Sequence, residues 1–335
     1  FLKMKIDIAP LIFVWIGSKF PIWGLDSLEF SYLNNRNRVI ILLLDNNSIS
    51  LKNLIPDFVD EYFLSDEFIN SCNLEGDIKL NGNFWINSSK RLKIIYEFCK
   101  RQMINQLFHA ELDNLIFNLQ GLEAKLNKKG SGFFAPQDSP DRALASLIYC
   151  NNIRSISEIF KYFYSPFFAN SEMHAIGFFS KYSDMFFALP TESFCEVNNK
   201  WLFVDTKLTD GIFDAAAVGQ YIFGIDPQHQ PYKPLLNMFE NENLLIQTKD
   251  LNFYLKDNYL FIYYKNLKTS YKIYNLHIHS KKIKLAINSL RGKNKILENL
   301  NLGRKSLITN RHRFVTGRLR YGLRFLKNLL KNYKK

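Results

Sequence analysis

Two carboxylates one residue apart, Glu111 and Asp113, lie inside Phe108-His109-Ala110-Glu111-Leu112-Asp113-Asn114-Leu115-Ile116-Phe117, between two apolar runs. Side chains alternate along a strand, so a strand running through this stretch points both acids the same way. At a strand end beside a cleft, the pair offers hard oxygen ligands to a divalent cation, which can in turn hold a diphosphate. The same triplet also serves as an ordinary solvated turn. Far downstream, Asn275-Leu276-His277-Ile278-His279-Ser280-Lys281-Lys282 sets His277 and His279 on one face of an expected strand, a familiar metal-ligand spacing, just ahead of two lysines.

Other chemistry-bearing groups are more isolated. Asp214 and Gln220 flank the small residues Ala215, Ala216, Ala217 and Gly219. Either both polar side chains face one cleft from the start and second turn of a helix, or Asp214 is the N-cap of a tightly packed one. The small residues permit close backbone approach, to a neighbouring element or to a sugar. Glu172, in Asn170-Ser171-Glu172-Met173, is a candidate general base and equally a residue that helps start a helix. Asp45 follows a strand, where it can touch a nucleoside or simply close a turn. Asp138, Asp141 and Arg142 form a polar loop that can recognise a hexose hydroxyl or only meet solvent.

The elements that must position these groups follow from apolar periodicity. Pro10 to Gly17 reads as a buried strand ending at a glycine, Pro21 to Asn34 as a helix, Val39 to Leu44 as a second continuous apolar strand and Asp60 to Leu64 as a third. Strands without alternation, separated by helices, predict a parallel sheet covered on both faces. Phe84 to Ile104 carries a helical apolar stripe with Arg91 off it, and feeds the strand that reaches the acidic pair. The acids then lie past the carboxyl end of a central strand, where open α/β sheets put their ligands. Gln120 to Lys128 is expected as a short helix, Phe133 to Pro136 as a strand, and Ala143 to Cys150, Ile153 to Tyr164 and Glu172 to Met185 as helices. Short aromatic and β-branched runs from Leu244 to His279 predict hairpins.

The 335 residues suffice for one large domain or for a domain with an appendage, and 47% hydrophobic residues, with 30 Phe and 17 Tyr, describe a globular chain. Cys72, Cys99, Cys150 and Cys195 are far apart, which argues for reduced core thiols over a disulfide framework or zinc site. No apolar run reaches the roughly 18 residues of a membrane span. The first five residues lack a signal peptide's regions, and the reduced thiols make the cytoplasm the expected compartment. Net charge is +13, yet Lys281 to Lys335 holds ten Lys and seven Arg against Glu298 alone, leaving residues 1 to 280 near −3. The basicity belongs to the tail and calls for an anionic partner there.

The first strand with its glycine (Phe13-Val14-Trp15-Ile16-Gly17), the helix with Arg91 and the strand reaching His109-Ala110-Glu111-Leu112-Asp113 together resemble the GT-A fold of nucleotide-sugar-dependent glycosyltransferases, the type that builds bacterial surface polysaccharide and lipopolysaccharide. The likeness covers the order of elements from about residue 10 to 285, with Glu111 departing from the family's Asp-x-Asp. It implies a donor site that includes Gly17, Asp45, Arg91 and Glu111, and Mn²⁺ or Mg²⁺ on the donor diphosphate through Asp113 and Glu111. It also implies a late histidine, His277 or His279, completing the metal shell, and Lys281 or Lys282 on the diphosphate. Asp214 and Gln220 resemble an acceptor-side pair of retaining members.

The resulting expectation is an α/β, GT-A-like catalytic domain over residues 1–285 with a basic helical extension over 286–335. It would move a sugar, from a UDP-sugar first among donors, to a glycan or lipid-linked acceptor with retention. The rivals are a nucleotidyltransferase acting on sugar phosphates, of whose glycine-rich basic loop Gly17-Ser18-Lys19 is a fragment, and a non-catalytic glycan- or membrane-binding protein. Val315, Leu319, Leu323, Leu326 and Leu330 form one apolar stripe amid Arg and Lys, a basic amphipathic helix suited to the anionic inner face of a membrane. No nucleic-acid-binding motif is present, and no such partner is expected.

Overall fold

The computed structural model describes residues 8–301 apart from 18, 74–82, 140–141, 164–170, 192–205, 207–208, 216, 225–250, 266–267 and 293–295. The expected amphipathic helix of the tail and Asp141 lie outside the described residues. An eight-stranded mixed sheet forms the body. Its parallel half comprises β1 (Leu11–Trp15), β2 (Ile40–Asp45), β3 (Val59–Leu64) and β4 (Leu107–Ala110), in the order β3-β2-β1-β4. The remainder is β6 (Phe133–Ser139), β7 (Arg142–Ala143), β8 (Leu147–Cys150) and β9 (Phe186–Leu189). There β8 runs antiparallel to β4, β6 antiparallel to β8, and β9 parallel to β6.

Unalternating strands are buried because helices cover both faces. On one face Ile12, Val14, Ile41 and Leu43 pack with Leu92, Ile95 and Cys99 of α3 (Asn83–Gln102), Ile156 and Ile159 of α5 (Arg154–Phe163) and Ile176 of α6 (Glu172–Tyr182). The alternate residues Leu11, Phe13, Ile40 and Leu42 meet Leu28 of α1 (Ile22–Asn34) and Leu122 and Leu126 of α4 (Leu122–Asn127). A short helix, α2 (Asp66–Ser71), follows β3.

Two further groups of strands build a second layer. β5 (Asn114–Ile116) pairs antiparallel with β14 (Asn275–His277). β11 (Leu251–Lys256), β12 (Tyr259–Tyr264) and β13 (Thr269–Ile273) form an antiparallel meander, joined by the short β10 (Gly211–Ile212). Their apolar faces share a cluster with Phe30, Phe117, Val218 and Ile222 of α7 (Ala217–Phe223), Ile283 and Ile287 of α8 (Ile283–Leu290) and Leu297 of α9 (Ile296–Asn301). No helix among the described residues is long and apolar enough to cross a membrane.

Two expectations change. Ala143 to Cys150 is not helical: β7 and β8 occupy it, and Leu147 to Cys150 is wholly buried between β4 and β6. A short continuous apolar run fits a core helix or a two-faced strand equally well, and here the open edge of β4 selects the strand. Gln137 and Ser139, expected in a loop with Arg142, belong to β6 and pair with Ala143 and Arg142 of β7. α8 has Ile283, Ala286 and Ile287 buried, and α9 packs against β11.

Candidate active site

Parallel β1, β2 and β4 end along one edge of the sheet; Asp45 is the last residue of β2, and Gly17 and the acidic pair follow the ends of β1 and β4. At β1 the chain turns through Gly17, whose φ of +144° is costly for any residue with a Cβ. Asp45 Oδ2 accepts from Gly17 N at 2.7 Å and Ser48 Oγ donates to Gly17 O at 2.9 Å, so buried Asp45 ties down the β1–α1 turn.

The acids lie past the carboxyl end of β4, in a turn. β4 stops at Ala110, Glu111 N donates to Ser146 O at 3.2 Å, Asn114 N closes onto Glu111 O at 3.0 Å, and β5 begins at Asn114. The carboxylates converge because the chain bends around them and not through strand alternation. Across the β5–β14 pair, His277 lies opposite Asn114, and Ile278 N donates to Asp113 O at 2.8 Å. That register brings His277 Nε2 to 3.1 Å from Asp113 Oδ2 and 3.6 Å from Glu111 Oε2. One oxygen from each acid and the imidazole nitrogen lie within 4.8 Å of one another. Hard oxygens with one imidazole suit Mg²⁺ or Mn²⁺, so the residues fit the expected ion. The Lys281 ammonium rests on Asp113 Oδ2, a positive group on the same oxygen, and lies 5.8 Å from the centre of the Trp23 ring.

The histidines and lysines are thereby sorted. β14 ends at His277, and His279 follows in a turn, partly exposed, its ring centre 6.1 Å from that of His277 and outside the cluster. The expected shared strand face for the two imidazoles is therefore not formed, because Lys281 N closes a turn onto Ile278 O at 2.8 Å. Lys281 reaches Asp113, whereas Lys282 is the exposed residue preceding α8.

Behind the acids, Arg91 Nη2 donates to Glu111 Oε1 at 2.7 Å and lies 3.6 Å from Glu172 Oε1. Arg91 Nε and Glu172 Oε2 are buried with no hydrogen-bond partner among the described residues. Burial alone would raise the Asp113 carboxyl, but the charges of His277 and Lys281 hold it well below the usual carboxylate range. Against the same burial penalty, Arg91 and then His277 lower Glu111. Buried His277 is pushed up by Asp113. Burial drives Glu172 up to about 7 against the pull of Arg91, and drives His109 down to about 3, with Arg91 adding to the effect. His109 is therefore neutral, its Nδ1 2.9 Å from Ile12 O inside the sheet.

Glu172 yields a pH prediction. From pH 4.5 to about 7 the unfolded chain loses this proton while the folded one keeps it, so the group's contribution to stability falls as pH rises and is lowest above 7. A shift of that size corresponds to about 3 kcal/mol at most. Glu172→Gln is expected to melt near the wild type at pH 4.5 and progressively above it toward pH 8. Melting temperatures whose difference stays constant over that range would reject a buried, proton-holding Glu172.

Asp214 and Gln220 separate. Asp214 is fully buried; its Oδ1 accepts from Val218 N at 2.9 Å, and its Oδ2 from Gly219 N at 2.8 Å and His277 N at 2.9 Å. It thus anchors the start of α7 to the backbone of the site histidine. Gln220 is on α7, partly exposed. Gly219 explains the small residues: a Cβ there would stand 1.9 Å from His277 O. The residues not anticipated are supports. Asn275 accepts from Asp214 N at 3.0 Å and donates to Asn114 Oδ1 at 2.8 Å, and Ser27 donates to Asn114 O at 2.6 Å. Asn275 lies two positions before His277 on one strand, a spacing that marks a shared face; Trp23 and Ser27 carry no such signal.

No family model matches the chain, and no curated protein matches it significantly in sequence. Among solved structures, mouse xyloside xylosyltransferase 1 in its apo form overlaps 54% of this chain and 84% of its own, at 10% identity and a TM-score of 0.40. The galactosyltransferase LgtC, in complex with donor and acceptor sugar analogues, overlaps 54% and 73% at 10% identity, TM-score 0.38. A cytidylyltransferase from Leptospira borgpetersenii serovar Hardjo-bovis overlaps 56% and 77% at 10% identity, TM-score 0.35. Likenesses this distant leave the functional reading to the side chains.

Proposed function

We propose that the chain is a metal-assisted glycosyltransferase that moves a sugar from a nucleoside diphosphate sugar, a UDP-sugar in the first instance, to a glycan or lipid-linked acceptor with retention. The observation that supports it is the meeting of Asp113 and His277, 164 residues apart, at 3.1 Å beside Glu111 and Lys281, past the carboxyl ends of parallel strands. Asp113, Glu111 and His277 would hold the cation. When bound, Mn²⁺ or Mg²⁺ supplies charge neutralisation for the leaving diphosphate.

The protein's own groups do the rest. Lys281, drawn off Asp113, would give its ammonium to a diphosphate oxygen, and the Trp23 ring face limits where that ammonium can go. Arg91 fixes Glu111 by a charge-assisted hydrogen bond. The Glu172 oxygen and Arg91 Nε, buried without a hydrogen-bond partner among the described residues, would pair with sugar hydroxyls. Asp214 acts through the position of His277, and Gln220 orients the acceptor. Retention is supported by the late His–Lys pair at the acids and by Glu172 being paired with Arg91, which leaves it poorly placed as a base for water or an acceptor. Binding at the inner face of an anionic membrane through the basic tail belongs to the same proposal.

Incubation with a panel of nucleotide sugars, with Mn²⁺ and then with chelator, tests it. Donor hydrolysis that requires metal, releasing the sugar in the donor's anomeric configuration by NMR, is expected. No turnover and no metal-dependent thermal shift with any donor would defeat the enzyme reading.

A further inference from the structure

A cavity of about 260 Å³ opens where the C-terminal ends of α1 and α8 meet the tip of the β11–β12 hairpin. Its apolar wall includes Phe30, Leu33, Phe117 and Leu255, and Arg36 and Arg291 also line it. Neither arginine has a carboxylate partner among the described residues, and both are exposed. Their ordinary role would be to complement the negative ends of two helices, since Arg291 caps α8 and Arg36 follows the cap of α1. Two full positive charges exceed two half-charges, so an anionic group is still favoured between them.

Three large apolar side chains are exposed in the same region: Leu33 at 39%, Leu255 at 37% and Tyr254 at 38%. Apolar side chains standing out beside paired cations match the boundary between headgroups and acyl chains. The volume lies below the usual range for ligand pockets, roughly 300 to 1,000 Å³, which fits a headgroup and its first carbons better than a whole soluble metabolite. α9 packs on β11, the strand that leads into this hairpin, and the chain beyond it, residues 302–335, carries five Lys and six Arg with no acid. The cavity shares no residue with the acidic site: α8 spans the gap, at roughly 1.5 Å per residue about 12 Å from the Lys281 end to Arg291.

We infer that this cavity is a docking site for an anionic phospholipid of a bilayer surface, its phosphate between Arg36 and Arg291 and its first methylenes against Leu33, Leu255 and Phe117. The site acts together with the basic tail, because two weak anchors on one body multiply their effect. It is independent of the reaction at the acidic site.

The test is vesicle flotation of the full chain on phosphatidylcholine alone and with about 30 mol% phosphatidylglycerol, an anionic fraction that gives the surface a negative potential. Arg36→Gln with Arg291→Gln is expected to weaken partition onto the anionic vesicles about tenfold or more, and Leu33→Asp with Leu255→Asp to do likewise. Binding to phosphatidylcholine alone should be weak throughout. Thermal shifts with inorganic phosphate and glycerol 3-phosphate form the soluble arm and are expected to be small. Partition of both variants within twofold of the unmodified chain would overturn the inference, since the tail alone would then account for binding. So would a glycerol 3-phosphate shift abolished in the arginine variant while its vesicle partition is unchanged, which would mark a soluble anion site. Circular dichroism checks folding; the arginine side chains are exposed, so that variant carries the test if the aspartate variant unfolds.

Discussion

Asp113→Ala is expected to abolish the Mn²⁺-dependent thermal shift and to lower donor turnover by about a thousandfold or more, the consequence of losing several kcal/mol of charge stabilisation. Asp113 is the carboxylate that touches both His277 and Lys281, so its removal leaves two potentially cationic groups beside one another. Breaking one side of a buried ion pair costs roughly 3 to 5 kcal/mol, and partial exposure of Lys281 puts the loss toward the low end. The metal-free variant should therefore melt below the wild type. Lys281→Gln separates the roles: it removes the positive group from Asp113, so the metal-dependent shift should persist or grow while affinity for the nucleotide diphosphate falls. Titration calorimetry with Mn²⁺ and with a nucleoside diphosphate reads both. An Asp113→Ala protein that binds Mn²⁺ as tightly as the wild type would remove this residue from the proposed metal site.

Gly219→Ala should rank second in effect although it adds one methyl group and no charge. The new Cβ would lie 1.9 Å from His277 O and 2.6 Å from its carbonyl carbon, both backbone atoms held in the β5–β14 ladder, and 3.1 Å from Asp214 Oδ2. Neither partner is a flexible side-chain end, so α7 and β14 must separate. Overpacking of this kind costs about 1 to 3 kcal/mol, occasionally more. The functional loss should exceed the stability loss, because a shift of about 1 Å in a positioned group can cost about a hundredfold in rate. Turnover and melting temperature measured together, against Gly121→Asn as a control, decide the point. Gly121 has φ +75° and nothing within 4 Å of an added Cβ, so its substitution should leave turnover within about twofold. Equal turnover in Gly219→Ala and the wild type would mean that His277 does not need its present position.

The elements legible along the chain were those whose signal is local. Leu11 to Trp15 and Ile40 to Asp45 are continuously apolar because both faces of a parallel strand are covered, and the α3 stripe reports one covered face of a helix. Leu147 to Cys150 was not legible, since an apolar run that short does not state its period and only a neighbouring strand edge could choose it.

The site divides along the same line. Sequence alone determined the candidate chemistry: an acidic pair after a strand, a downstream cluster of imidazoles and ammonium groups, and an arginine on the intervening helix, all matters of residue type and short spacing. The tertiary structure decided which members meet. The choice of His277 over His279 and Lys281 over Lys282 follows from the β5–β14 register, which brings His277 to Asp113 across 164 residues of chain, together with the local turn closed by Lys281 N on Ile278 O. The acids themselves converge through a turn pinned by Ser146, and Asp214 is bound by three backbone N–H groups deep in the core. Such outcomes depend on where distant backbone lands and on what fits against it, as Gly219 shows. Neither is encoded in the spacing of neighbouring residues.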